Sequence, residues 1–210
     1  MDTVNLTTKR VIAYVDGFNL FFGMKESGWQ QFYWLNVCQL AENILPPNSV
    51  LTAVKYFTAR VVSPDDKRKR QGSYLEALQA QTQCVIIHGK YQLEENYCRS
   101  CFSHYSVPKE KMTDVNIAVT MMEDAFLSRF DIALLVSGDS DLTPPVSSVL
   151  RIFPEKSVIV AFPPRRFSAD LKTAASGSFN ITRVNLRDSQ LPDEITKSDG
   201  YVLRRPSKWR

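Results

Sequence analysis

Four aspartates in this chain stand at the ends of apolar runs or at the head of a helix, and an asparagine lies just past the first of them. Val11, Ile12, Ala13, Tyr14 and Val15 lead straight into Asp16, which is followed by Gly17, Phe18 and Asn19. Ile132, Ala133, Leu134, Leu135 and Val136 lead through Ser137 and Gly138 to Asp139 and Asp141, and Asp114 opens an amphipathic stretch. Short continuous apolar runs are the pattern of strands buried on both faces. A carboxylate at the end of such a strand is costly to bury alone, and its simplest partner is a cation. Several carboxylate oxygens together suit a hard divalent ion, Mg²⁺ or Mn²⁺. That ion would hydrolyse phosphodiesters by polarising a phosphoryl oxygen and acidifying bound water. Asn19 can orient a ligand or a phosphate oxygen without adding charge. A structural use competes for each acid: Asp114 and Asp141 suit helix N-termini, and Asp16 suits an Asx turn. Their coincidence on one predicted edge favours the metal site.

The elements that must position these residues alternate along the chain. The first strand ends at Asp16 and a turn through Gly17 enters an aromatic-rich segment. A helix is predicted over 34–44, stopped by Pro46-Pro47, then a strand over 50–62. A helix over 65–81 begins with Asp65-Asp66, and Val85-Ile86-Ile87 makes a third strand. Residues 89–110 read as a loop or hairpin insertion. Thr113 caps a helix over 114–129, and the fourth strand ends at Asp139. A helix through Leu150, a strand over 157–162, a helix over 168–175 and an edge strand over 181–184 complete the pattern. Such alternation predicts a doubly wound α/β fold with a mostly parallel sheet. Right-handed crossovers bring every βα loop to the carboxyl edge, and a crevice opens where strand order reverses. If the first and fourth strands flank that crevice, Asp16, Asp114, Asp139 and Asp141 converge at its mouth. The domain is expected to span 1–187, with 188–210 as a polar basic tail.

With 210 residues, 44% of them hydrophobic and 23% charged, the chain is long enough for one well-cored domain and too apolar to be disordered. A net charge of +4 permits a polyanionic partner without demanding one. No apolar run is long enough to span a bilayer, and the N-terminal pattern is not that of a signal peptide. The four cysteines are too scattered for a disulfide scaffold, which leads to the expectation of a reducing, cytoplasmic setting.

Together the phrases Val15-Asp16-Gly17-Phe18-Asn19, Tyr56-Phe57-Thr58-Ala59-Arg60, Lys109-Glu110-Lys111 before Asp114-Val115-Asn116, Leu134 to Asp141, and Val160-Ala161-Phe162-Pro163-Pro164 resemble the NYN domain. Ser189-Gln190-Leu191-Pro192 and the Leu203-Arg204-Arg205-Pro206 ending extend the likeness, which is to the LabA-like bacterial branch of these PIN-like nucleases. The resemblance implies a PIN-like three-layer α/β/α sandwich and metal-dependent endoribonuclease activity. It places acidic metal-ligand roles on Asp16, Asp114, Asp139 and Asp141 and a polar active-site role on Asn19. Such nucleases often add a glutamate from an earlier helix, for which Glu76 is the candidate.

Other features have weaker claims. Cys98-x-x-Cys101-x-x-His104, with His88 as a fourth ligand, has zinc-ligand spacing, but one half-site without a second Cys pair favours a pair of ordinary loop thiols. Lys111, Arg165 and Arg166 are candidates to hold an RNA backbone, whereas Lys67 to Arg70 reads as a solvated face. The aromatic residues after Asp16 suit base stacking, a packed core or a homodimer face. A regulatory nucleic-acid-binding protein without useful turnover is the alternative to the nuclease. A haloacid-dehalogenase phosphatase is disfavoured, because Phe18 stands where its second aspartate is needed.

Overall fold

The computed structural model describes residues 8–210, with backbone alone at 93 and at 107–109. Six strands form a wholly parallel sheet: β1 (Lys9–Asp16), β2 (Ser49–Thr58), β3 (Val85–His88), β6 (Ile132–Val136), β7 (Ser157–Phe162) and β8 (Gly177–Asn180). Between β3 and β6 an antiparallel hairpin, β4 (Lys90–Tyr97) with β5 (His104–Lys111), stands apart from this sheet. The order β3-β2-β1-β6-β7-β8 reverses between β1 and β6. The expected crevice therefore lies between the two strands that lead to Asp16 and Asp139.

Alternation along β1 explains the three layers. Val11, Ala13 and Val15 point into one hydrophobic cluster, and Ile12 and Tyr14 into the other. The first cluster is closed by α1 (Gly17–Glu26), α2 (Val37–Asn43) and α3 (Asp65–Gln81), through Leu20, Leu40 and Leu78 among others. The second is closed by α4 (Thr113–Phe126), α5 (Thr143–Ile152) and α6 (Ala169–Ala174), through Met121, Val146 and Leu171. Both faces of the sheet are covered, so β1 and β6 read as unbroken apolar runs.

Three local expectations need correction. The aromatic-rich segment after Asp16 is the helix α1, because the Asp16 side chain accepts from Asn19 N at 2.9 Å and caps it. Thr113 is the first residue of α4 rather than its cap. Met112 occupies the cap with φ +80°, and the Glu110 carboxylate takes the Thr113 N–H at 3.1 Å. The edge strand is β8 at Gly177–Asn180 rather than 181–184. Thr182 and Asn185 form a reciprocal capping box that starts α7 (Arg183–Arg187).

Residues 188–210 are not a loose tail. They include the hairpin β9 (Glu194–Thr196) with β10 (Val202–Arg204) and a closing 3₁₀ turn, Ser207–Trp209. Leu191, Ile195, Leu203 and Trp209 are buried in the first cluster, with Trp209 5.7 Å from Tyr33 and 6.2 Å from Tyr74. The spacing of these few apolar residues was too wide to announce a core contribution. Among the described residues no helix is long and apolar enough to cross a membrane.

Candidate functional site

Asp16 ends β1 and Ser137 directly follows β6, so the strand pairing that sets Val15 opposite Val136 also brings their loops together. Ser137 is the joint between them. Its hydroxyl donates to Asp16 Oδ2 at 2.9 Å and accepts from Asp139 N at 3.1 Å. Asp139 in turn accepts from Asp141 N at 3.0 Å through Oδ1, capping the short turn before α5. Asn19, on the first turn of α1, accepts the Gly138 N–H at 2.9 Å and ties that helix to the same loop. Part of what Asp16, Asp139 and Asn19 do is thus structural: they hold two βα loops in register.

The electrostatics show a second property. Burial pushes the Asp16 carboxyl up; hydrogen bonds from Asn19 and Ser137 oppose this, while the charges of Asp114 and Asp139 add to it, and it reaches about 7. Asp114, half-buried in the first turn of α4, is raised to about 6 by burial and by the charges of Asp139, Glu110 and Asp141. Asp16, Asp114, Asp139 and Asp141 therefore share one charged neighbourhood at the switch between β1 and β6. Among the described residues none of these four is in an ion pair. Carboxylate oxygens that share one neighbourhood, with no ion pair among the described residues, match the donor chemistry of Mg²⁺ or Mn²⁺. Among the described residues, no three His, Cys, Asp or Glu side chains form a group ready to hold a metal as they stand. The acids are neighbours in charge without being drawn into a coordination shell.

Across the crevice the loop after β7 closes against this pair of loops. A Cβ on Gly138 would come within 2.8 Å of the Arg166 backbone, so only glycine admits that approach. The structure places Arg166 beside the acidic loops, but its guanidinium is ion-paired with Glu26 of α1. Arg165 is exposed and adopts a left-handed φ of +56°. Lys111 closes β5, half-buried, three residues ahead of Asp114. Lys109's side chain lies outside the described residues.

Residues 10–182 match the model of the NYN domain. The chain belongs to the NYN domain family. That family falls in a nuclease-like superfamily whose members generally use divalent metals. A curated relative, 6-hydroxy-3-succinoylpyridine 3-monooxygenase HspA of Pseudomonas putida (strain DSM 28022 / S16), is 23% identical over 176 residues, covering 67% of this chain and 55% of that protein. The chain thus spans about half the length of that relative. The crystal structure of a protein of unknown function from Vibrio parahaemolyticus RIMD 2210633 superposes with a TM-score of 0.55 at 19% identity, covering 91% of this chain and all of that one. This likeness bears on the fold, an α/β sandwich with a parallel central sheet.

Two residues of this NYN domain escaped the sequence reading, and one was misplaced. Glu76 is exposed on α3 and pairs with Lys197 at 3.3 Å, so it is engaged with the C-terminal segment rather than with the acids. The glutamate whose charge reaches Asp114 is Glu110, at the end of the β4–β5 hairpin. Its signal was available in Glu110-x-x-Thr113-Asp114, where an acid serves the first N–H of the following helix. Ser137 was quoted only as part of a phrase, although its hydroxyl bridges Asp16 and Asp139. At the hairpin tip, Cys101 bonds Ser103 at 2.9 Å and the His104 ring packs 5.1 Å from Tyr97; among the described residues no group of three or more His, Cys, Asp or Glu gathers there.

Proposed function

We propose that the chain is a divalent-metal-dependent ribonuclease that hydrolyses RNA phosphodiester bonds at the acidic mouth between β1 and β6. The observation that carries this reading is the gathering of acids at one edge: Asp16 is raised by burial and by the charges of Asp114 and Asp139, Asp114 is raised by burial and by the charges of Asp139, Glu110 and Asp141, and among the described residues no ion pair reaches either. Asp16, Asp114 and Asp139 would hold Mg²⁺ or Mn²⁺, with Asp141 at the rim. When bound, such an ion polarises the phosphoryl oxygen and acidifies water. Ser137 and the Asn19-to-Gly138 hydrogen bond fix where Asp16 and Asp139 point. Asp114 would contribute its carboxylate from the first turn of α4. Arg166 can meet a phosphate by exchanging Glu26 for it, and Arg165 and Lys111 offer further positive charge. The monooxygenase among the relatives does not displace this reading, because low identity over about half that protein carries no residue assignment.

Purified protein incubated with a mixed RNA pool and Mn²⁺ should cleave it, and chelator should stop cleavage. Asp139→Asn should lower the rate on the order of a thousandfold, the effect of losing several kcal/mol of transition-state stabilisation. Undiminished cleavage by Asp139→Asn would remove the case for this site. Metal-dependent RNA binding with no cleavage by the unsubstituted protein would favour the regulatory binder instead.

A further inference from the structure

Beside the acids, and separate from them, α1, α3, the β4–β5 hairpin and the C-terminal turn enclose a cavity of about 460 Å³. Its volume is that of a small-ligand site rather than a packing defect. Phe18, Phe21, Phe22, Tyr33, Tyr91 and Trp209 supply flat walls. Lys25, Lys67, Arg70 and Lys208 also line it. Asp66 draws on two of these cations, Arg70 at 2.9 Å and Lys208 at 3.7 Å, while Lys25 stands 5.6 Å over the Phe22 ring. Among the described residues Lys67 has no ion pair, and it is exposed.

The cavity begins where the acidic site ends. Gly17, the residue after Asp16, is part of its wall together with Tyr56, whose ring packs so closely on Gly17 that it leaves no room for a Cβ. Helix geometry divides the labour along α1. Asn19 turns toward the Gly138 loop, while Phe18 and Phe22, four residues apart on one face, look into the cavity. Their rings lie 6.4 Å apart and 23° from parallel, and Tyr91 meets Phe18 edge-on at 6.1 Å. Half-exposed aromatic faces with cations around them suit a planar heteroaromatic ring that carries an anionic group. An uncharged aliphatic ligand would use neither the flat walls nor the charge.

We infer that this cavity is a base subsite, which receives an unstacked nucleobase of the RNA strand whose neighbouring phosphodiester lies at Asp16 and Asp139, with Lys67 and Lys208 on its phosphate. This assignment rests on the ribonuclease reading, and cleavage would then be favoured beside an unpaired nucleotide.

The test separates the two. Short RNA oligonucleotides carrying one abasic ribose at successive positions are bound to the full-length protein in chelator, where no cleavage occurs, and then cleaved with Mn²⁺. One abasic position should weaken binding on the order of tenfold, and it should lie at a fixed distance from the cleaved bond. Phe22→Ala, at an exposed ring, should abolish that position-specific penalty. Lys67→Glu, fully at the surface, should weaken all the oligonucleotides alike and flatten the salt dependence. Equal penalties at every position, or a penalty that survives in Phe22→Ala, would overturn the base subsite while Mn²⁺-dependent cleavage kept the nuclease. Position-specific binding without any cleavage would support the subsite and sink the nuclease. Uridine or adenosine 3′-monophosphate binding alone, with oligonucleotides indifferent to abasic sites, would reassign the cavity to a free nucleotide and overturn its place on the strand.

Discussion

Two aspartates sit in the interior of this molecule within one strand's reach of each other, and they behave in opposite ways. Asp124 on α4 is fully buried and receives hydrogen bonds from Tyr14 Oη at 2.7 Å, Lys55 Nζ at 2.5 Å and Arg129 Nη1 at 2.9 Å. Burial alone pushes its carboxyl up, but these three donors outweigh burial and hold it below the ordinary range. Asp16, 3% exposed, receives among the described residues only the Asn19 N–H and the Ser137 hydroxyl, and burial together with the charges of Asp114 and Asp139 raises it to about 7. Tyr14 and Asp16 are neighbours on β1, yet one helps complete a neutralised network and the other ends in a deficit of positive charge. Asp124 has Lys55 and Arg129 beside it, whereas among the described residues Asp16 has no cationic partner, which leaves room for a cation from outside.

The comparison breaks most visibly at Asp124. Asp124→Ala should cost about 3–5 kcal/mol of folding stability, because Lys55 and Arg129 lose their shared carboxylate and Lys55 is left largely buried. Urea denaturation measures it. A loss below about 1 kcal/mol would mean that the network is not what neutralises this interior. Metal-dependent cleavage per folded molecule should be unchanged, since nothing in this network touches the acidic mouth.

Addition of Mn²⁺ addresses the other member of the pair. A cation bound only by the folded state should raise stability by about 2.7 kcal/mol at a hundredfold excess over its dissociation constant. Thermal melts with and without Mn²⁺ read the gain. Asp124→Asn, if it folds, should keep it, and Asp139→Asn should lose most of it. An equal Mn²⁺ effect in both would place the ion elsewhere.

How far the sequence reveals this contrast depends on the physics each half uses. The mostly parallel α/β sheet was legible, because buried parallel strands are continuous apolar runs and right-handed crossovers leave few alternatives; that the first and fourth strands flank the crevice entered only as a condition. The helix α3 was legible to the residue, since Asp65-Asp66 and Thr82 bracket a clear pattern. The partnership of Asp124 with Lys55 was not. It links residues 69 positions apart through side-chain reach, and a lone Asp near a helix end looks like a solvated one. Trp209 was missed for a similar reason: its burial depends on the chain turning back after β10, and Arg204-Arg205 before it suggested solvent. Glu76 came forward because the resemblance implies a glutamate from an earlier helix, whereas here the β4–β5 hairpin delivers Glu110 beside Asp114. What is local or periodic shows in a sequence; what depends on two distant side chains meeting does not.

The smallest effect, and the one that sharpens the contrast best, comes from titration. Asp16 has its carboxyl raised from an unfolded value near 4 to about 7, so the folded state holds its proton more tightly than the unfolded chain does. Without divalent cation, its contribution to stability is fully present below pH 4 and is lost as pH rises through 7. Asp114, raised to about 6, has the same sign. Asp124 has the opposite one: its carboxyl is depressed, so its contribution is present above pH 4 and disappears as pH falls through the folded value below that. Metal-free protein should therefore lose stability between pH 5 and 7.5. Asp16→Asn, which keeps the Asn19 N–H acceptor, should flatten that slope and be more stable at pH 7.5 on the order of 2 kcal/mol. Saturating Mn²⁺ should reverse the slope in the unsubstituted protein, because the ion binds the ionised acids and is displaced by protons as pH falls through 7 and 6. Melting temperatures across this range with chelator and with Mn²⁺ decide the matter. Parallel profiles in the two would show that the charge deficit at Asp16 is not where the cation acts.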